Sequence, residues 1–142
     1  MKKIICLSLI VVLCLSLCGC GASMVKLRAA DAPVLDLNEM TALLESDPSA
    51  AKKEYHGNIY RVTGEIVSKD YDDNDEDLIY YFIGYNQYNP VYDYYESHYL
   101  VKIPINRNDH ESFSNGETVT FAGVLSLSGS IPELKNAIVL ET

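Results

Sequence analysis

Ile59-Tyr60-Arg61-Val62-Thr63-Gly64-Glu65-Ile66-Val67 is the stretch whose reading decides the fold. Its side chains alternate with a period of two. Tyr60, Val62, Gly64 and Ile66 fall on one side of an extended chain; Ile59, Arg61, Thr63, Glu65 and Val67 fall on the other. Gly64 interrupts the run, and a glycine inside a strand marks a bulge or a sharp bend. The same design recurs over residues 118–125, with Val119, Phe121 and Leu125 on one face and Gly123 within. The turn Ser114-Asn115-Gly116 launches that run. Between the two, residues 78–83 form an apolar run carrying two tyrosines. Residues 98–103 alternate again, with Tyr99, Val101 and Ile103 expected inward and Pro104 as the stop. After the polar loop 126–130, residues 131–140 form the last run, with Pro132 at its start as an edge feature. Five strands are expected.

Upstream the period changes. Asp36-Leu37-Asn38-Glu39 carries the acidic N-cap and following Glu of a capping box, and Leu37, Met40 and Leu44 then share one helical face. Asp47-Pro48 restarts a helix, because proline at the first helical position loses no hydrogen bond. Ala51 and Tyr55 share its face, and His56-Gly57 ends it. Both helices are expected to pack on the sheet. The fold class is mainly β: a five-stranded Greek-key OB-fold barrel preceded by one or two short α-helices, after a cleaved lipoprotein signal peptide. In such a barrel the first strand bends and pairs within both halves of the sheet. Gly64 is the expected bend, and residues 106–114 the helix or loop that plugs the barrel.

The leader is explicit. Lys2 and Lys3 precede an uncharged apolar stretch, residues 4–17, which is too short for a stable transmembrane helix. Gly19 supplies the small residue needed just before a cut at Cys20, whereas Cys18 follows Leu17 and Cys14 follows Leu13. The segment Leu17-Cys18-Gly19-Cys20 resembles the lipobox of bacterial lipoproteins. That resemblance implies a diacylglyceryl thioether on Cys20 and an acyl chain on its new N-terminus. Each buried methylene contributes about 0.8 kcal/mol, so several chains hold where one does not. Residues 1–19 are therefore read as signal peptide, 20–35 as the lipidated cysteine and a flexible tether, and 36–142 as helical lead-in plus OB-fold domain. The expected location is the cell membrane, lipid-anchored on its extracytoplasmic face.

Composition narrows the function. Processing would remove two lysines and no acids, moving the formal charge from −9 to −11. All four cysteines lie in residues 1–20, which excludes a disulfide or a cysteine nucleophile in the processed domain. The acidity argues against a nucleic-acid partner, which needs a basic track. Lys26 and Arg28 are exceptions beside the anchor, where they suit lipid headgroups.

The segment Ala51…Tyr55-His56-Gly57-Asn58-Ile59-Tyr60-Arg61-Val62-Thr63-Gly64-Glu65-Ile66 resembles the opening of the tRNA-anti-like family of OB-fold bacterial lipoproteins. Asn115-Gly116-Glu117-Thr118-Val119-Thr120-Phe121-Ala122-Gly123 resembles its fourth strand, and Leu134-Lys135-Asn136-Ala137-Ile138 its closing strand. The resemblance spans residues 37–141 and implies the barrel rather than an activity. Asn58 stands where the family commonly has a basic residue.

Two constellations remain. Asp70-Tyr71-Asp72-Asp73-Asn74-Asp75-Glu76-Asp77 invites calcium, but an EF-hand loop begun at Asp70 has Asp75 for its turn glycine and Tyr81 for its bidentate glutamate. A solvated hairpin turn is the better reading. Tyr80, Tyr81, Tyr85, Tyr88, Tyr92, Tyr94, Tyr95 and Tyr99 crowd the second and third strands and their connection. Tyrosine offers large contact area with a polar tip at low entropic cost. Tyr80, Tyr88, Tyr92, Tyr94, Tyr95 and Tyr99 are the candidate binding residues, and Cys20 the lipid-attachment residue. His56, His98 and His110 lack metal-ligand spacing, and no nucleophile or phosphate-loop motif occurs. No enzyme activity, metal or cofactor is expected. The expected partners are the lipid bilayer and an envelope protein, with a glycan or small solute as the alternative.

Overall fold

The computed structural model describes residues 21–109 and 112–141, so the leader and Cys20 lie outside the described residues. Among the described residues, α1 (Gly21–Arg28), α2 (Leu37–Ser46) and α3 (Pro48–Tyr55) precede the strands β1 (Ile59–Tyr71), β2 (Leu78–Asn89) and β3 (Tyr94–Asn106). A short 3-10 turn, Arg107–Asp109, follows, and then β4 (Thr118–Ser126) and β5 (Glu133–Glu141). The strands close on themselves in the order β1-β2-β3-β5-β4. Pairing is antiparallel except where β3 meets β5, at Lys102 opposite Glu133.

β1 serves both halves of the sheet. Its residues 59–65 pair with β4 and its residues 66–71 with β2. The expected bend at Gly64 is displaced. The ladder skips a residue between Ile66 and Ser68, which places the bulge at Val67. Ile66 and its neighbour Val67 are accordingly both buried, which a regular strand does not allow. Gly64 has a packing role instead, since a Cβ there would collide with the side chain of Ile83.

The interior is filled by alternate residues of each strand: Val62 and Ile66, Ile79, Tyr81 and Ile83, Val101, Ile103 and Ile105, Val119, Phe121 and Leu125, all buried in one cluster. Phe113, from the connection between β3 and β4, packs edge-on against Tyr81 at 5.6 Å and Phe121 at 6.0 Å. Its N–H donates to the Tyr81 hydroxyl at 3.3 Å. That connection therefore delivers an aromatic plug, as expected of residues 106–114.

The helices begin where their caps require. Asp36 Oδ1 accepts from the N–H groups of Asn38 and Glu39, both at 3.0 Å. Asp47 Oδ1 accepts from Ser49 at 3.1 Å and Ala50 at 2.9 Å, with Pro48 in the first turn. Each cap satisfies donors that the helix itself leaves without partners. Met40 and Ala51 are fully buried in the barrel cluster. Gly57, at φ +83, turns the chain from α3 into β1 and donates to the Leu125 carbonyl at 2.7 Å.

Three further expectations fail. β3 does not stop at Pro104 but runs through it to Asn106, with Pro104 paired to Tyr80 and Ile105 buried. Residues 21–28, expected within a flexible tether, are helical as α1. Val25 and Ala29 are buried against Ala122, with Ile59, Val124, Ile138 and Leu140 around them on the outer wall of β1, β4 and β5. The chain then runs along β1: Leu35 N–H donates to Arg61 O at 2.8 Å, and Arg61 N–H to Pro33 O at 2.9 Å. Tyr99 is not inward but 42% exposed. The β2–β3 ladder passes from Ile83 opposite Val101 to Gly84 opposite Tyr99, so Leu100 is an extra residue and flips everything before it to the other face.

Candidate functional site

β2 and β3 stay paired beyond the point where their other neighbours leave. β1 pairs with β2 only as far as Ile83, and β5 meets β3 at Lys102. The β2–β3 ladder nevertheless continues from Gly84 opposite Tyr99 to Asn89 opposite Tyr94. Residues 84–99 thus form a two-stranded arm with no third strand on either edge among the described residues, and none of residues 84–99 is buried. At about 3.3 Å per residue the paired part is roughly 20 Å long. Gly84 forms its root, where a Cβ would collide with the carbonyl of His98.

An isolated hairpin is marginal in water, so cross-strand side-chain pairs must hold it. The rings supply them. Phe82 and Tyr99 lie 4.7 Å apart between centroids and Tyr88 and Tyr95 5.3 Å, while in the turn Tyr92 lies 6.1 Å from Tyr94, two residues on. Tyr85 stacks on the imidazole of His98 at 4.9 Å and 14°. The hydroxyl of Ser97 donates to Asn86 Oδ1 at 2.7 Å. At the tip, Asp93 adopts φ 54 and its Oδ1 accepts from the Tyr88 hydroxyl at 2.7 Å. That bond holds the Tyr88 phenol above its ordinary pKa.

Pairing does not hide these rings: Tyr92 and Tyr95 remain 71% exposed, beside Val91 at 79%. Directly opposite residues share a face. Tyr88, Tyr95 and Tyr99 therefore continue the outer wall of the barrel, while Tyr85, His98 and Tyr94 continue the line of the interior residues. Aromatic surface is presented on both sides. The arm carries two formal charges, Asp93 and Glu96, and no lysine or arginine. A shallow cleft of about 240 Å³ lies among Gln87, Tyr88, Asn89, Pro90, Glu96 and His98. Surface of this kind can stack on flat or apolar groups and offer amide and phenol hydrogen bonds, but it cannot neutralise phosphates.

Of the candidate residues, Tyr88, Tyr92, Tyr94, Tyr95 and Tyr99 come together on the arm. Tyr80 does not join them. It sits half-buried on the barrel wall, with its hydroxyl donating to Asp72 Oδ2 at 2.8 Å and the Lys102 ammonium 4.7 Å from its ring centre. The Asp72 bond holds the Tyr80 phenol above its ordinary value. The Asn74 N–H, followed by the Tyr80 hydroxyl, holds the Asp72 carboxyl below its own. The acidic segment is a hairpin turn braced by its own backbone: Asn74 N–H donates to Asp72 Oδ1 at 2.8 Å and Asp77 N–H to Asp75 Oδ1 at 3.1 Å. Among the described residues no three acidic, histidine or cysteine side chains converge to hold a metal. Tyr81 belongs to the core. Tyr85, counted in the tyrosine cluster but not among the candidates, belongs to the arm, and His98 joins it unforeseen, with Phe82 at its root; the signal was the register of the two strands, which a tyrosine count does not contain.

No family model matches the chain, and no curated protein does. Among solved structures it is similar to a lipoprotein of Klebsiella pneumoniae subsp. pneumoniae MGH 78578 that is provisionally named nucleic acid-binding. The TM-score is 0.54, over 80% of this chain and 95% of that one, at 19% identity. Similarity at that identity speaks for a shared fold and nothing finer.

Proposed function

We propose that this protein is an extracytoplasmic lipoprotein of the OB-fold class, anchored through Cys20, whose domain is a non-enzymatic binding or assembly module of the cell envelope. The OB assignment is supported by a closed order β1-β2-β3-β5-β4 with β1 shared between both halves. The tRNA-anti-like resemblance over residues 37–141 agrees with it. The lipobox and the lipoprotein name of the Klebsiella neighbour support the anchor. The arm of residues 84–99 carries the binding reading: exposed rings on both faces and unpaired edges on both sides. Such edges add a strand from a partner readily, with the rings as anchors. The partner is an envelope protein. A nucleic acid fits poorly, because the arm has no cation and stacking needs basic partners to hold a phosphate backbone.

The test is a photo-crosslinking residue at Tyr95 of the acylated protein in its own membranes, with one at exposed Lys135 as control. The expected result is one discrete protein adduct from position 95, none from 135, and its loss when Tyr92, Tyr94 and Tyr88 become Ser. Equal, diffuse labelling at both positions refutes the reading. The glycan alternative rests on the tyrosines lying among Asn86, Gln87 and Asn89 amides, a surface that can stack on a sugar face. It predicts a saturable change in tyrosine fluorescence on adding cell-wall fragments.

A further inference from the structure

Helix α1 was expected to be part of a loose leash, yet it is docked on the barrel, and its outer face matches a lipid surface. At about 100° per residue, Leu27 lies roughly opposite Val25 on the helix. Val25 is fully buried against the barrel and Ala29 nearly so, whereas Leu27 is 79% and Met24 44% exposed. Lys26 and Arg28 flank Leu27, one on each side, and both are exposed. The outer face is thus an apolar centre between two cations on an otherwise acidic chain. Gly21, the first residue of α1, directly follows Cys20 in the sequence.

We infer that α1 lies flat on the anionic membrane surface, with Leu27 and Met24 in the headgroup boundary and Lys26 and Arg28 on the headgroups. The occupant is the bilayer rather than another protein, because the chain leaves this helix at the residue proposed to carry the lipid, and the charge signs complement. The inference rests on the proposed acylation of Cys20. Its consequence is orientation: no flexible spacer separates anchor from barrel, so the arm is held at a fixed attitude to the membrane.

The processed chain offers a clean test, since all four cysteines lie in residues 1–20. Acylated protein carrying Leu27→Cys or Val91→Cys is spin-labelled and reconstituted into phosphatidylcholine–phosphatidylglycerol vesicles. Flotation with the vesicles reads the anchor; collision with oxygen against a water-soluble nickel complex reads the depth of the label. The expected result is flotation of both variants, with the label at 27 shielded from nickel and open to oxygen, and the label at 91 in water. Each basic residue near an anionic surface contributes on the order of fivefold to docking. Lys26→Gln with Arg28→Gln should lower the docked-to-free ratio about thirtyfold without loss of flotation. A floating protein whose label at 27 is as open to nickel as that at 91 overturns the docking and leaves the anchor standing. A label shielded from both probes places a second protein there and likewise overturns it. Failure to float removes the anchor itself, and the docking with it.

Discussion

One pair of strands, β2 and β3, contains two kinds of surface. In the barrel half, Ile79, Tyr81 and Ile83 pair with Ile105, Ile103 and Val101 on the face that lines the buried core. In the arm half the ladder continues, yet nothing is buried: the face that carries isoleucines below carries Tyr85, Gln87, Asn89, Tyr94, Glu96 and His98 here. The difference lies in the neighbours: β1 and β5 flank the first half and leave the second bare. A strand pair is therefore core or contact surface according to what stands beside it, and the bulge at Leu100 with Gly84 opposite marks the changeover.

Substitutions can break that contrast. Phe121→Ala in the barrel empties a fully buried aromatic position. It should cost about 3–5 kcal/mol in urea or guanidinium unfolding, enough to unfold much of a small domain. At the changeover, Gly84→Ala drives a Cβ into the His98 carbonyl. Overpacking against backbone should cost about 1–3 kcal/mol, and hydrogen exchange should show the arm amides opening before those of β1 and β4.

Tyr80→Phe tests the wall residue that resembles the arm in composition alone. The Asp72 carboxyl should titrate closer to its ordinary value by NMR, while staying below it because the Asn74 N–H remains. The signs follow from the shifts. Asp72, depressed on folding, contributes stability above its unfolded pKa that is lost as pH falls through its folded one. Tyr80, raised on folding, contributes below its unfolded pKa and loses that as pH rises through its folded one. Both groups are solvent-accessible, so the effect on the unfolding midpoint should be small. The smallest change in global stability is expected for the triple change Tyr92→Ser, Tyr94→Ser and Tyr95→Ser, about 0.5 kcal/mol or less per position, because the arm lies outside the buried core. Loss of the Tyr88–Tyr95 and Tyr92–Tyr94 ring contacts should, however, speed exchange of the arm amides. Partner binding should nonetheless disappear. A large loss of stability there would make the arm structural and erase the contrast.

Much of the scaffold was legible because its causes are local. Asp36 and Asp47 bond to N–H groups two and three residues ahead, so cap and helix read together from a few letters. The strand centres also read well from apolar runs and alternation, but β2 and β3 were placed only over residues 78–83 and 98–103, so the paired arm beyond them read as a connection. The features that failed share another cause. Whether β1 bends at Gly64 or Val67 depends on which residue of β2 lies opposite, and Tyr99 faces outward because of an extra residue in a ladder with a distant strand. Tyr80 and Tyr88 look alike in sequence, but one faces Asp72 and Lys102 on the wall and the other Tyr95 on the arm.

The amino-acid order alone determined where α2 and α3 start, the alternation along β1 and β4, and the strong negative charge, because those depend on neighbours along the chain. Tertiary structure decided the rest. Residues 21–28 hold as a helix through Val25 and Ala29 against β-strands roughly a hundred residues later. The tyrosines became a surface only when β1 and β5 parted from β2 and β3. Burial and exposure are set by what lies across space, and no window of sequence contains that.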